Sequence, residues 1–133
     1  MSTALVLDTN IVSYLFKRTK EAALYLPHIA GKAQLISFQT VAELDYGILK
    51  ANWGINRIEQ LEAYLTRFTV VPHTRSLSQS WAEAKNLAQL NGRRIEAADA
   101  WVAAAALEYG VPLVTHNPKD FLGVTSLQVI TEV

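Results

Sequence analysis

Leu5-Val6-Leu7-Asp8-Thr9-Asn10 decides the reading of this chain. Three consecutive apolar residues run straight into a carboxylate, and a helical pattern begins at once. An apolar run without polar alternation is the mark of a strand buried on both faces, as in a parallel sheet. Asp8 then stands where that strand leaves the sheet. The carboxyl edge of an open α/β sheet is where ligands bind. The rest of the chain is therefore read for polar residues that reach the same edge.

Working outward, Thr9–Lys17 places Ile11, Val12, Leu15 and Phe16 on one helical face, with Thr9 or Asn10 as its cap. Residues 21–30 suggest a second helix, stopped by Gly31 and weakened or kinked by Pro27. Ala33–Ser37 reads as a strand. Residues 37–50 read as a helix capped by Ser37 or Thr40, with Val41, Leu44, Ile48 and Leu49 inward. After the loop Asn52-Trp53-Gly54, residues 55–68 are amphipathic through Ile55, Ile58, Leu61 and Leu65, and Thr69–Val71 is a third strand. Residues 76–90 carry a stripe of Leu77, Trp81, Ala84, Leu87 and Ala88.

Residues 96–109 differ from the other helices. They are mostly alanine, which suits a helix lying close against a sheet, central and buried, and Gly110 closes it. Residues 112–115 form a fourth strand, 116–120 a loop or single turn, and 126–130 a last strand. Strands alternating with helices predict an α/β fold, a three-layer α/β/α sandwich with a mainly parallel central sheet. At 133 residues, a single domain spanning 1–133 is expected.

Half of the residues are hydrophobic and 18% are charged, which excludes a disordered chain. No stretch approaches the roughly 18 apolar residues of a membrane span. No basic region precedes the short first apolar run, so a secretory leader is not expected and cytoplasmic residence is. The absence of cysteine rules out disulfides and thiolate metal sites. Lys+Arg and Asp+Glu are equal at 12 each, so no global positive field draws in nucleic acid. A partner of that kind requires a local basic patch or a bound cation.

The carboxylates carry the functional reading. Asp8 follows the first strand, Glu43 lies in the opening turns of the helix after the second, and Asp99 lies in the first turn of the alanine-rich helix. Asn117 and Asp120 follow the fourth strand. In a parallel α/β sheet, strand C-termini and helix N-termini share one edge, so these four segments can bring their polar residues into one pocket. Taken singly, each has a plainer role. Asp8 can be a turn or N-cap residue, Glu43 a solvated or helix-dipole acid, and Asn117-Pro118 a turn. Asp120 reads as structural or peripheral. Glu96, on the same face as Asp99, is either a capping acid or a further pocket acid. The constellation is more specific than any member. Clustered carboxylates are costly to bury unpaired, and a divalent cation offsets that cost. Hard oxygen donors without cysteine suit Mg²⁺, with Mn²⁺ as the other candidate. Such a site can activate water and neutralise a phosphodiester.

Other features are less specific. Arg93-Arg94 precede Glu96 as a solvated loop or a phosphate contact. His28, His73 and His116 have no zinc-ligand spacing; His116 borders the expected pocket, as a loop residue or a substrate contact. Trp53, Trp81 and Trp101 read as core. Phosphate-loop, dinucleotide and serine-triad patterns are absent.

The blocks L-V-L-D-T-N at 5–10, V-A-E-L at 41–44, A-D-A-W-V-A-A-A-A at 98–106 and L-V-T-H-N-P-K-D-F at 113–121 resemble the PIN-domain ribonucleases. The resemblance is strongest to the VapC toxins of bacterial and archaeal toxin–antitoxin pairs, and it spans essentially the whole chain in order. It implies that Asp8, Glu43 and Asp99 match the acidic metal-binding triad of the family. Asp8 and Asp99 would be the principal Mg²⁺ ligands, and Glu43 would orient water. Asn117 takes the place where a fourth acid is common, which lowers the negative charge of the site. Thr115 matches a small hydroxyl residue that bonds to the carboxylates. The resemblance further implies cleavage of RNA, such as tRNA or another structured RNA, homodimer formation, and a small antitoxin partner. A groove for that partner is expected at Tyr14, Leu15, Tyr25 and Trp53.

Two other readings stand beside this one. The first is a non-catalytic PIN-like module that only binds a partner. The second is a metal-dependent phosphatase or phospho-acceptor domain. That one needs a D-x-D after the first strand, or paired acids before it, whereas Asp8 is followed by Thr9-Asn10 and no acid precedes it.

Overall fold

β1 (Ala4–Leu7) is the middle strand of a five-stranded sheet whose order is β3-β2-β1-β4-β5. A computed structural model describes residues 3–133. After β1 come α1 (Thr9–Lys17), α2 (Lys20–Ile29), β2 (Ala33–Ser37), α3 (Phe38–Ala51), α4 (Ile55–Leu65) and β3 (Thr69–Val71). Then follow α5 (Arg75–Leu90), α6 (Ala97–Tyr109), β4 (Leu113–Val114), a single 3-10 turn (Pro118–Phe121) and β5 (Val129–Ile130). Every strand pairing is parallel, so the sheet expected to be mainly parallel is wholly so.

The apolar run at 5–7 behaves as a strand sealed on both faces. Leu5 and Leu7 join one core with Ile36, Val114, Ile11, Val12, Tyr25 and Ile29. Val6 points the other way, into a core built with Leu113, Leu35 and the alanines of α6. Period-two alternation thus sends successive β1 side chains into two separate helical layers. Ala103, Ala104 and Ala105 are fully buried. Methyl side chains let α6 lie against the sheet on one side and α5 on the other.

Chain direction reverses about β1. From it the chain moves to β2 and β3 on one side, then returns to β4 and β5 on the other. A crevice opens at the carboxyl edge of a sheet at such a switch point. The register pairs Val6 with Leu113 and Leu7 with Val114, which brings the residues just beyond these strands, Asp8 and Thr115, side by side.

Several local expectations are corrected. Asp8 itself, not Thr9 or Asn10, is the N-cap of α1. Of the two caps expected for α3, Ser37 is the one used, and α5 begins one residue before the expected start, capped by Thr74. Pro27 is accommodated inside α2. Leu49 is 78% exposed and Ile55 65% exposed, not inward. The inward stripe of α3 runs at four-residue steps through Thr40 and Ile48, which are buried, and Leu44, which is partly so, and Leu49 falls off it. Ile55 opens α4 and is left uncovered. Tyr25, placed at sequence level in a surface groove, is fully buried. No helix among the described residues is long and apolar enough to cross a membrane.

Gly123 marks the tightest approach around α5. A Cβ there would stand 2.2 Å from the Arg93 carbonyl oxygen and 2.8 Å from the Ala88 Cα. Both are backbone atoms that cannot swing aside. Gly123→Ala is expected to destabilise the fold by about 1–3 kcal/mol, as overpacking does, measured as a lowered urea midpoint.

Candidate active site

Asp8 is held before any ligand arrives. It is 7% exposed. Its Oδ1 accepts a hydrogen bond from the Thr9 amide at 2.8 Å, and its Oδ2 accepts from the Thr115 hydroxyl at 2.7 Å. The Asn10 side-chain amide donates to the same Oδ2 at 3.5 Å. Thr115 in turn accepts from the Asn117 amide at 3.0 Å. A relay therefore runs from the turn after β4, through one hydroxyl, to the carboxylate after β1. Asn10 also accepts from the His116 amide at 3.3 Å, tying the same two segments a second time.

The other acids arrive on separate elements. Glu43 lies in the second turn of α3, where Gln39, one turn earlier, donates to its Oε1 at 3.1 Å. Asp99 lies in the first turn of α6. The 3-10 turn folds residues 118–121 back, with the Asp120 amide donating to the Asn117 carbonyl at 3.1 Å. Asp8, Glu43, Asp99, Asn117 and Asp120 line one cleft of about 440 Å³, with Lys17 and Trp53 at its rim. Topology thus brings the expected residues together. Asp120, expected to be structural or peripheral, lines the cleft as well. Trp53 is half-buried against it, not in the core.

Crowding shows in the acidities. Burial pushes the Asp99 carboxyl up to about 7, reinforced by repulsion from Asp8, Asp120, Glu43 and Glu96. Burial also raises Asp8 above its ordinary value. The Thr115 and Thr9 hydrogen bonds pull against that rise, while Glu43 and Asp120 add to it. Glu96 occupies the N-cap position of α6 without a side-chain capping bond. It therefore stands at the capping position, not among the residues lining the cleft, and it acts on Asp99 through its charge.

The donors suit a hard divalent cation: they are all oxygen, they face one cleft, and Asp99 is lifted first by burial and then by like charge that a cation would relieve. Asp8, Glu43 and Asp99 are not drawn together into a preformed metal cluster. Among the described residues, no three acidic or histidine side chains cluster tightly enough to hold a metal ion as a group. The cleft is instead open. That is compatible with an ion such as Mg²⁺, which keeps several waters and takes only one or two carboxylates directly.

The remaining candidates lie elsewhere. Arg93 and Arg94 are exposed in the loop before α6 and do not line the cleft. His116 turns its ring inward: Nδ1 shares a 2.5 Å hydrogen bond with the Tyr25 hydroxyl, and the ring meets Tyr14 edge-on. Thr115 is fully buried behind Asp8, so it positions a carboxylate and does not face the cleft opening. Sequence reasoning missed Asn10 and Gln39. The i, i+4 spacing of Gln39 and Glu43 on one helix was a readable signal for the second.

Comparison with known proteins agrees with this architecture. The PIN domain family model matches residues 5–125. Ribonuclease VapC1 of Haemophilus influenzae (strain R2866) is 33% identical over 125 residues, covering 92% of this chain and 93% of that protein. Among solved structures, VapBC2 from Rickettsia felis bound to a promoter DNA fragment superposes with a TM-score of 0.82 at 25% identity, covering 96% of this chain and 98% of that one. VapBC-1 from nontypeable Haemophilus influenzae gives 0.74 at 30% identity, covering 96% and 97%. The chain belongs to the PIN-domain family.

Two measurements check the site. Thr115→Val removes the short hydrogen bond to the buried Asp8 oxygen, leaving it only the long one from Asn10, and takes away the partner of the Asn117 amide. It is expected to cost about 1–3 kcal/mol of stability, read from urea denaturation at pH 7. Asp99 is expected to titrate near 7 in metal-free protein by side-chain carboxyl NMR. Its folded value lies above the unfolded value of about 4. The stability it contributes is therefore full below about pH 4 and is lost as pH rises through 7. Asp99→Asn should flatten that part of the melting-temperature profile, and Mg²⁺ above pH 7 should raise the melting temperature of the wild type more than that of the variant.

Proposed function

We propose that this chain is a divalent-metal-dependent endoribonuclease that acts as the toxin of a toxin–antitoxin pair. The observation that carries the reading is the convergence of Asp8, Glu43, Asp99 and Asp120 on one cleft at the carboxyl edge of the sheet. Family membership supports it, as do relatives named as VapC ribonucleases and structural neighbours solved as VapBC complexes. The substrate is RNA, with tRNA or another structured RNA as the finer assignment. The partner is a small antitoxin, and the working form is a homodimer.

Asp8 and Asp99 would hold Mg²⁺, or Mn²⁺ in its place. When bound, the cation supplies positive charge against the phosphodiester and acidifies water. Asp8 enters the reaction already oriented, since Thr9, Thr115 and Asn10 have fixed both of its oxygens. Asp99 would have to give up its proton to serve as a ligand, because a carboxyl with a pKa near 7 is only partly ionised at neutral pH. Glu43, steadied by Gln39, would orient the attacking water in line with phosphorus and take up its proton as the new P–O bond forms, while the bond to the leaving ribose oxygen breaks and that oxygen takes a proton from solvent. Asp120 supplies the negative charge that Asn117 does not.

Asp8→Asn and Asp99→Asn are each expected to lower RNA cleavage by at least about a hundredfold, with Glu43→Gln in the range of about 10²–10⁴. Circular dichroism should remain that of the wild type. Chelation should abolish cleavage and added Mg²⁺ restore it. Undiminished cleavage by the Asp8 and Asp99 variants would overturn the assignment.

A further inference from the structure

One buried hydroxyl lies outside the cleft yet grips the segment that serves it. Tyr25, in the middle of α2, is fully buried in the core that holds Leu5, Leu7 and Val114. It does not line the cleft. Its oxygen meets three groups from distant parts of the chain. The Glu132 amide, beyond β5, donates to it at 3.1 Å. His116 Nδ1 lies 2.5 Å from it, and the Thr115 carbonyl oxygen lies at 3.5 Å. A phenol has one proton to give. Assigned to the short contact, that proton makes His116 Nδ1 an acceptor and leaves the carbonyl contact secondary. Burying a hydroxyl is costly unless it is bonded. Phenylalanine would fill the same space without that cost, so packing alone does not account for the oxygen.

What the oxygen holds is the run Thr115–Asn117. The His116 ring is met edge-on by Tyr14 and by Tyr25, with ring centres 5.5 and 5.6 Å away. Both chain neighbours of His116 serve Asp8. Thr115 donates to Asp8 Oδ2 at 2.7 Å, and the Asn117 amide donates to the Thr115 hydroxyl oxygen at 3.0 Å. The His116 amide donates to Asn10, which in turn donates to Asp8. β4 is only two residues long, and its last ladder bond runs from the Thr115 amide to the Ile130 carbonyl. Beyond that point the sheet holds nothing, and side chains must fix the turn. The far side of the phenol is fastened too: Glu132 is tied to His28 of α2 by a hydrogen bond of 2.7 Å.

We infer that Tyr25 is a positioning residue for the cleft: its hydroxyl holds the Thr115–Asn117 turn so that the Thr115 hydroxyl stays on Asp8 and leaves that carboxylate preset for a cation. This rests on the reading of Asp8 as a metal ligand.

Tyr25→Phe deletes the oxygen and keeps the ring. In metal-free protein followed by NMR, hydrogen exchange at the His116 and Asn117 amides is expected to speed up by about tenfold or more, as a local opening does. Mg²⁺ affinity, read from a titration of amide shifts, is expected to weaken roughly three- to tenfold, at the lower edge of what loss of support behind a metal ligand costs. His116→Ala removes the other half of the contact and should produce the same weakening without touching α2. Ile29→Ala, one turn on in the same helix and core, is the control for loosened packing. It should lower the melting temperature at least as much as Tyr25→Phe and leave Mg²⁺ affinity at the wild-type value. Added to Thr115→Val, Tyr25→Phe should weaken Mg²⁺ binding little further, because the route it serves is already cut. Unchanged exchange at His116, unchanged Mg²⁺ affinity in both contact variants, an equal loss in Ile29→Ala, or losses that multiply in the double variant would each overturn the positioning role. A wild type that binds no Mg²⁺ overturns the metal reading itself, whereas a wild type that binds it no better than Tyr25→Phe and His116→Ala overturns this inference alone.

Discussion

A carboxylate placed at the end of a strand sealed on both faces has to be satisfied by its own neighbours, because water cannot reach it freely. That constraint shapes everything around Asp8. Its oxygens are met by the Thr9 amide, the Thr115 hydroxyl and the Asn10 side chain, and these come from two segments that only the β1–β4 register brings together. A slip of one residue in that pairing would turn Leu5 and Leu7 toward the wrong layer and separate Thr115 from Asp8. The packing of the core and the geometry of the site are thus specified by the same alignment of strands.

Further acids press on this fixed point from α3, α6 and the turn after β4. In isolation the arrangement is unfavourable: Asp99 is lifted to about 7 by burial and by its neighbours. The cost is borne by a sheet and an alanine helix that cannot easily relax, and it is the kind of perturbation expected where a site awaits a positively charged ligand.

Much of this could be read from residue order. The apolar run at 5–7, the alternation of strands and helices, and the alanine composition of residues 97–109 each carry a local physical signal, and the sheet and its sealed helix follow from them. Convergence of Asp8, Glu43, Asp99 and Asn117 on one cleft follows from parallel topology without any knowledge of side chains. What escaped depends on detail that periodicity does not encode. Asp120 reaches the cleft only because a 3-10 turn folds back after Asn117. Tyr25 is buried because its hydroxyl finds the His116 ring and the Glu132 amide, two partners about ninety and more residues away. Leu49 and Ile55 are apolar in the chain yet uncovered in the fold, and helical spacing alone does not say where the covering layer stops. The openness of the acid cluster likewise follows from distances that sequence spacing does not set.

The methyl-only face of α6 limits how a protein built this way can diversify. Any larger side chain at residues 103–105 would prise the helix from the sheet and carry Asp99 away from Asp8. The acidic cleft is therefore coupled to the tightly buried alanines of α6. Exposed side chains on α1, α2 and α4 carry no such constraint, so the wall of the cleft that α1 and α4 form can change while the spacing of the acids is kept.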